Sequence, residues 1–305
     1  MKASPIRVVS LIPSATEIVA SLGLAERLVG RSHECDWPAE VSHLPALTQP
    51  RFATDRSNAE IHRSVTALLK AALGVYDLDV AELERLKPTH IVTQTQCDVC
   101  SVRLEEVEDA VASLSGRRAE IVALAPMRLA DLFDDIRRVA RALGAEAEPV
   151  VSALEARLAR LSAMTAAGPK PRVACIEWLE PLMAAGTWVP ELVEIAGGRC
   201  LFAEAGERAP WLEWDTLRNA DPDVIVFMPC GFDSARTEAE LLNAGARWRG
   251  LRAGQEGEVY AVDANRYFSR PGPRLIESAE VLAEILRPDL SGFGHEGDGW
   301  RRIPL

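Results

Sequence analysis

Short apolar runs alternate along the chain with amphipathic stretches of about ten to fifteen residues. The apolar runs are rich in Val, Ile and Leu, which is typical of strands buried on both faces of a parallel sheet. The stretches between them place apolar residues three and four positions apart, as in helices with one buried face. Strands are therefore predicted at 7–12, 28–30, 90–93, 121–124, 172–176, 224–227 and 259–262. This alternation predicts an α/β fold with mainly parallel sheets.

The two halves of the chain carry the same pattern. Each half has a short helix with a Glu and two aliphatic residues that closes at a Gly, and later a helix that stops before a Pro and leads into an apolar strand. The matching segments are 16–23 with 190–197, and 83–93 with 217–227. Two similar α/β lobes usually face each other across a cleft, and small molecules bind in such clefts. The repeat therefore predicts a two-lobed protein that binds a ligand.

One long amphipathic helix, predicted at 149–166, separates the two halves. It has no Gly or Pro in its interior, so it is predicted to be a stiff connector. The predicted organisation is an N-terminal α/β lobe at 1–146, the connecting helix at 147–168, a C-terminal α/β lobe at 169–290 and a loose tail at 291–305.

The composition limits the class of partner. The chain has 305 residues, and its net charge of -11 argues against nucleic acid or an anionic membrane surface as a partner. No apolar run is long enough to span a bilayer, so the protein is predicted not to be embedded in a membrane. A monomer is predicted. The N-terminal residues lack the features of a signal peptide, which predicts a cytoplasmic protein as the sequence is written, and a periplasmic or surface-anchored one if the true N-terminus is longer.

Polar and aromatic residues follow the predicted strands, where ligands bind in open α/β sheets. Aromatic side chains on such loops suit a large, flat and partly apolar ligand, although each of them could instead pack at the base of its loop. The predicted ligand-binding residues are His33, Glu34, Asp36, Trp37, Gln94, Gln96, Trp178, Trp188, Trp211, Phe232 and Tyr267.

Four of the six cysteines occupy loop positions that suit a metal site: Cys35, Cys97, Cys100 and Cys230. The spacing of Cys97 and Cys100 occurs in metal and redox sites, but two small residues in a strand-to-helix turn would give the same pattern. Thiolates favour zinc, copper(I) or an iron–sulfur cluster. The alternative function is therefore a cytoplasmic thiolate-ligated metalloprotein or enzyme on the same scaffold. Cys175 and Cys200 instead have the pattern of small core residues beside strands.

Sequence signatures of catalysis are missing. The chain has no Gly-x-Ser-x-Gly elbow, no phosphate-binding loop, no His-Glu-x-x-His and no Gly-x-Gly-x-x-Gly after a strand. Paired carboxylates such as Glu105 with Glu106 lie on predicted helices and are typical of solvated faces. These observations favour a non-catalytic binding protein.

Four segments resemble the helical-backbone class of ABC-transporter substrate-binding proteins, which bind cobalamin, haem and iron–siderophore chelates. They are 7–17 (RVVSLIPSATE), 86–92 (LKPTHIV), 220–226 (ADPDVIV) and 270–274 (RPGPR). The resemblance covers about residues 6 to 287 and implies two Rossmann-like lobes joined by one long helix, with the ligand in the cleft between them.

Within that family the chain is most similar to the cobalamin-binding branch, in which aromatic residues of both lobes embrace the corrin. Trp211 lies where that branch places one such tryptophan. The resemblance implies a cleft-type binding protein for a corrinoid or similar metal chelate, related to transport or salvage, with an ABC transporter permease as the implied partner. The cysteine-bearing segments 33–37, 96–100 and 228–232 depart from the well-understood exported members.

Overall fold

The computed structural model describes residues 5–71, 73–96, 99, 101–115, 119–290 and 292–305. Its chain divides into two compact units. The first consists of 1–56, 60–126 and 130–152, and the second of 57–59, 127–129 and 153–305. Within the described residues, no helix is long and apolar enough to cross a membrane.

The first half of the chain builds a four-stranded parallel sheet in the order β2-β1-β5-β6 and a small antiparallel pair of β3 with β4. The strands are β1 (Val8–Ser10), β2 (Leu28–Arg31), β3 (Thr48–Pro50), β4 (Tyr76–Leu78), β5 (His90–Gln94) and β6 (Glu120–Leu124). The helices are α1 (Pro13–Ser21), α2 (Asn58–Lys70), α3 (Val80–Leu86), α4 (Leu104–Ser113), α5 (Leu129–Leu143) and α6 (Glu148–Thr165). Central strands β1 and β5 bury Val9 and Ile91 completely, in agreement with their apolar sequence.

The second half builds a sheet in the order β12-β11-β10-β7-β8, with β9 paired to β7 as well. The strands are β7 (Arg172–Leu179), β8 (Leu182–Ala184), β9 (Arg199–Cys200), β10 (Val224–Phe227), β11 (Val259–Val262) and β12 (Trp300–Arg302). The helices are α7 (Val189–Ile195), α8 (Trp214–Ala220), α9 (Ser234–Asn243), α10 (Gly245–Arg249), α11 (Arg252–Glu256) and α12 (Leu275–Leu286). Strands β7, β10 and β11 run parallel, and every residue of β10 is buried.

The internal repeat predicted from the sequence is present in backbone detail. Helices α3 and α8 both end at a left-handed residue directly before a proline, with φ of 47° at Lys87 and 43° at Asp221. Helices α1 and α7 both carry a proline at their start and are followed by a left-handed glycine, Gly23 or Gly197. The predicted α/β fold with two similar lobes is confirmed.

The predicted long helix is present as α6, and the boundary between the two units falls within it, between Ser152 and Ala153. Its bounds agree with the predicted 149–166 to within one residue at each end.

Two parts of the second unit differ from the prediction. The strand predicted at 172–176 continues to Leu179, and the chain then returns antiparallel as β8. The apolar run that forms β8 has only three residues, which is too short to give a strand pattern in the sequence. The predicted loose tail at 291–305 instead carries β12, which pairs antiparallel with β11. Trp300 and Ile303 are buried, so this segment, although rich in glycine and charge, packs against the sheet.

Candidate functional site

The carboxyl ends of β1 and β2 in the first unit meet in a buried polar cluster, formed by Ser10, Thr16, Ser32, Cys35 and Thr48. The Thr16 hydroxyl lies 2.8 Å from the Ser10 oxygen and 3.0 Å from the Cys35 sulfur. The Thr48 hydroxyl donates to Ser32 Oγ over 2.9 Å. Because these side chains satisfy one another, the cluster fixes the start of α1 against the loop after β2.

His33 extends this cluster. Its backbone N–H donates to Thr48 Oγ1 over 3.1 Å, and its Nδ1 lies 2.7 Å from the same oxygen. The direction of the hydrogen bond between Nδ1 and Thr48 Oγ1 is set by the tautomer of the imidazole. Burial, with a smaller contribution from the Arg31 charge, lowers the pKa of His33. The imidazole is therefore neutral at neutral pH and able to coordinate a metal.

The other predicted residues of the first unit have different environments. Trp37 is 45% exposed and Asp36 is exposed, whereas the Glu34 N–H donates to Ser32 Oγ over 3.3 Å. Gln94 is buried and donates to Ser101 Oγ over 3.1 Å. Gln96 is half-buried. The unit thus offers one exposed indole near a polar edge.

In the second unit, backbone hydrogen bonds join the end of β7 to the segments that follow β10 and β11. The Cys230 N–H donates to the Glu177 carbonyl over 3.4 Å, and the Asn265 N–H donates to the Phe232 carbonyl over 3.0 Å. These bonds make the carboxyl edge of the sheet one continuous floor, which is the position where open α/β sheets bind ligands.

Aromatic side chains cover part of this floor. Trp178 is half-buried, and its ring meets that of Phe232 edge-on at 6.0 Å between centroids. Phe232 is buried, with the Arg236 guanidinium 3.6 Å from its ring centroid. The Trp178 Nε1 is a buried donor without an acceptor among the described residues. Such a donor is available to a ligand acceptor.

Trp211 lies on the segment next to β8, on the side of β8 away from β7. It forms an isolated antiparallel bridge with Met183, and Met183 pairs with Trp178 on its other side. Two further hydrogen bonds, from Ala184 N to Pro210 O and from Leu212 N to Leu182 O, hold this segment along β8. The Trp211 side chain is 61% exposed, although its backbone is firmly held.

The two remaining predicted aromatic residues lie in the core. Trp188 is buried, and its Nε1 donates to the Phe268 carbonyl over 3.0 Å. Tyr267 is buried, with its ring 5.9 Å from that of His295. Both arrangements fit a packing role at the base of a loop.

Glu177 belongs to the same edge and was not among the predicted site residues. It is the extra residue of a β-bulge, since Ile176 pairs with Ala184 and Trp178 pairs with Met183. Burial raises the pKa of its carboxyl to about 7, although the Gly186 N–H donates to it and lowers the pKa. A Cβ at Gly186 would lie 2.5 Å from the Ala209 nitrogen, so only glycine fits there. The sequence offered one signal for this residue, since Glu177 is a charged residue directly after the predicted apolar strand at 172–176.

Arg270 and Arg274 also lie near this edge and are likewise absent from the predicted site residues. Both are buried, and the Arg270 Nη2 donates to the Asn265 side chain over 3.2 Å. Burial raises the pKa of the neighbouring Asp263, and the charges of Arg266 and Arg270 oppose that rise. The Arg-Pro-Gly-Pro-Arg segment was visible in the sequence, but only as part of the resemblance.

The four candidate metal ligands are placed only in part. Cys35 is buried in the first unit, Cys230 is half-buried in the second, and Cys97 and Cys100 lie outside the described residues. Across the described part of the chain, no three His, Cys, Asp or Glu side chains are grouped to hold a metal ion.

The chain matches the family model described as periplasmic binding protein over residues 8–265. It is 24% identical to an uncharacterized ABC transporter substrate-binding lipoprotein of Bacillus subtilis, over 95% of this chain and 82% of the relative. It is 25% identical to a vitamin B12-binding protein of Vibrio cholerae, over 92% of this chain and 89% of the relative. The solved periplasmic heme-binding protein of Roseiflexus has a TM-score of 0.70 at 23% identity and covers 93% of this chain and 99% of that one.

Proposed function

Because the chain belongs to the periplasmic binding protein family, we propose that it is a cleft-type binding protein for a corrinoid such as cobalamin, or for a similar metal chelate. The relatives support this ligand class, since one is named as a vitamin B12-binding protein and one as a heme-binding protein. Corrin and porphyrin are both flat macrocycles that hold a metal at their centre. Their faces are apolar and their rims are polar.

The observation that carries the proposal is the indole of Trp211, 61% exposed and one strand outside the half-buried Trp178. A large apolar side chain that is held by backbone bonds yet left in water gains free energy when a flat ligand covers it. The Trp178 Nε1, on the other side of Met183 in the same sheet, is a donor for a polar group on the ligand rim. In the first unit, Trp37 carries an exposed indole and His33 a neutral imidazole, which are both groups of the kinds that bind metal chelates.

The direct test is equilibrium dialysis of the purified full chain against cyanocobalamin, haem and a ferric siderophore in separate chambers. The absorbance of each chelate reports binding without relying on tryptophan fluorescence. We expect binding at micromolar or lower concentration for at least one chelate, with the corrinoid tightest. If all three remain equally distributed across the membrane, the proposed ligand class is wrong.

Substitution of Trp211 tests the site itself. Trp211→Ala should weaken binding of the preferred chelate roughly 10- to 100-fold, because it removes a stacking face at the centre of the proposed contact. Trp211→Phe should retain part of the affinity. Leu242→Ala is the matched control, since Leu242 is another strongly exposed apolar side chain of the same unit and lies on α9. Equal losses in Trp211→Ala and Leu242→Ala would contradict the proposed site.

We also propose that the protein acts outside the inner membrane and delivers its ligand to an ABC transporter permease. The names of the relatives support this, since one is a substrate-binding lipoprotein of an ABC transporter and the solved heme-binding protein is periplasmic. The acidic surface, with a net charge of -11, agrees with a carrier that does not adhere to anionic lipids.

A further inference from the structure

Cys175 and Cys200 form a thiol pair within the second unit, separate from the four cysteines considered above. Cys175 lies in the middle of β7 and is 1% exposed, whereas Cys200 ends β9 and is half-buried. Strands β7 and β9 are parallel, and Val173 is the register partner of Cys200. Since side chains alternate along a strand, Val173, Cys175 and Cys200 all project from one face of the sheet.

The two thiols lie close enough to interact. The Cys200 thiol donates to the Leu201 carbonyl over 3.5 Å, and the interaction with Cys175 lowers the pKa of Cys200 and, together with burial, raises that of Cys175. The thiolate is the reactive form of cysteine, so Cys200 is the more reactive partner and also the more accessible one. Cys175 is placed to react second.

The backbone around Cys200 allows the small shift that a bond requires. A disulfide needs Cα atoms about 4.4 to 6.8 Å apart, whereas diagonal neighbours on adjacent strands are about 7 Å apart. Strand β9 has only two residues and is held to its neighbour by the hydrogen bonds from Arg199 N to Pro171 O and from Leu201 N to Val173 O. Those bonds are 2.8 and 2.9 Å long, so a shift of about a few tenths of an ångström keeps both within hydrogen-bonding distance.

We propose that Cys175 and Cys200 are a redox site and form a reversible disulfide when a low-molecular-weight disulfide such as oxidised glutathione is present. The Cys200 thiolate attacks one glutathione sulfur, which forms a mixed disulfide and releases the first glutathione as its thiol. The Cys175 sulfur then attacks the Cys200 sulfur, and its proton leaves with the second glutathione. One oxidised glutathione is consumed, two reduced molecules are released, and the protein loses two hydrogen atoms.

The bond would close a loop that contains part of the carboxyl edge. Residues 176–199 include Glu177, Trp178 and Trp188, so both ends of this segment would be tied to one point of the sheet. Closing a loop of about 25 residues restricts the unfolded chain and should raise Tm by roughly 5–10 °C. This inference does not depend on which ligand the protein binds.

The sequence makes the test direct, because trypsin cuts after Arg172, Arg199 and Arg208. Cys175 and Cys200 then fall on separate peptides, 173–199 and 200–208, each with a single cysteine. The full chain is incubated with oxidised glutathione, denatured in N-ethylmaleimide, digested without reductant and analysed by mass spectrometry. We expect the two peptides to be joined, and to separate after reduction. Differential scanning calorimetry of the same sample should show the rise in Tm.

Two variants complete the experiment. Cys200→Ser keeps a hydrogen-bonding group at a half-buried position and should abolish both the joined peptide and the rise in Tm. Cys230→Ser removes another half-buried thiol of the same unit and should leave both unchanged. The proposal is overturned if both peptides are recovered singly with maleimide on each cysteine. It is equally overturned if 200–208 accumulates as a glutathione adduct while Cys175 stays reduced.

Discussion

Glu177 shows how a single residue can set the pH response of a unit. Its carboxyl lies at a bulge where burial raises the pKa to about 7, and the Gly186 N–H compensates only part of that penalty. The folded protein therefore binds this proton more tightly than the unfolded chain, in which the carboxyl has its ordinary pKa of 4.5. The stability that the proton provides is complete below pH 4.5 and is lost as the pH rises to about 7.

Glu177→Gln should remove this pH dependence, because an amide keeps an acceptor for the Gly186 N–H without carrying a charge. Relative to the wild type, the variant should gain little stability at pH 4 and up to about 3 kcal/mol at pH 8. Denaturant unfolding followed at several pH values measures the difference. Glu180→Gln, an exposed neighbour, is the matched control and should give no such trend. A constant difference between Glu177→Gln and the wild type across this pH range would show that the carboxyl is not buried as described.

For single residues, the sequence predicts the position along a strand or loop better than it predicts the burial and the partners of the side chain. Trp178 and His33 follow their predicted strands, because the ends of apolar runs are visible in a single sequence. Whether an indole is covered or left in water depends on contacts with distant segments. Trp188 shows this, since its partner is the carbonyl of Phe268.

Among the elements, the C-terminal strand β12 is the clearest case of docking by a few specific contacts. The Glu284 carboxylate on α12 accepts hydrogen bonds from the backbone N–H groups of Gly294 and His295 and from the Trp300 indole. His295 also lies 3.3 Å from the Glu280 carboxylate. One glutamate thus collects three donors from a segment that has little apolar surface of its own.

Glu284→Ala should release this segment, because three donors lose their acceptor at once, at a cost of roughly 1–3 kcal/mol. Limited trypsin digestion is the measurement, with faster cleavage expected after Arg301 and Arg302. Glu296→Ala removes an exposed carboxylate within the same segment and should leave the cleavage rate at that of the wild type. If Glu284→Ala is cut no faster than Glu296→Ala, the docking does not depend on Glu284.

The tail was the element that sequence patterns described worst. Its glycines and charges are typical of a loose end, and the two apolar residues that anchor it are too few to give a periodic signal. Helices α3 and α8 are the opposite case, since a proline directly after a helix constrains the preceding residue and can be recognised without knowing the fold.

For the whole molecule, the repeated order of strands and helices was sufficient to predict an α/β protein with two similar lobes. The order of strands within each sheet was not predicted, because pairing is decided by contacts far apart in sequence. Strand β1, for example, pairs with β2 and β5 and so joins segments about 80 residues apart. The carboxyl-edge rule predicts several of the ligand-binding residues from strand ends alone, and their role in binding stays a prediction.

The proposed location of the protein is also a property of the whole molecule. In the native host, fractionation with an antibody against this chain should recover the product of the native gene in the periplasm or bound to the outer face of the inner membrane. Cytosolic and periplasmic marker enzymes serve as controls. Recovery with the cytosolic marker alone would refute the proposed export and leave the ligand proposal to be tested by dialysis.

The bulge at Glu177 also acts as a phase shift in the side-chain alternation of β7. Upstream of it, residues face the two sides of the sheet in one order, and downstream of it they face them in the other. Ile176 and Trp178 are two positions apart, so in a regular strand they would face the same side of the sheet; with the extra residue between them they face opposite sides, because their partners Ala184 and Met183 are consecutive on β8. The number of residues in the strand, and not only their composition, therefore determines on which face of the sheet each side chain lies.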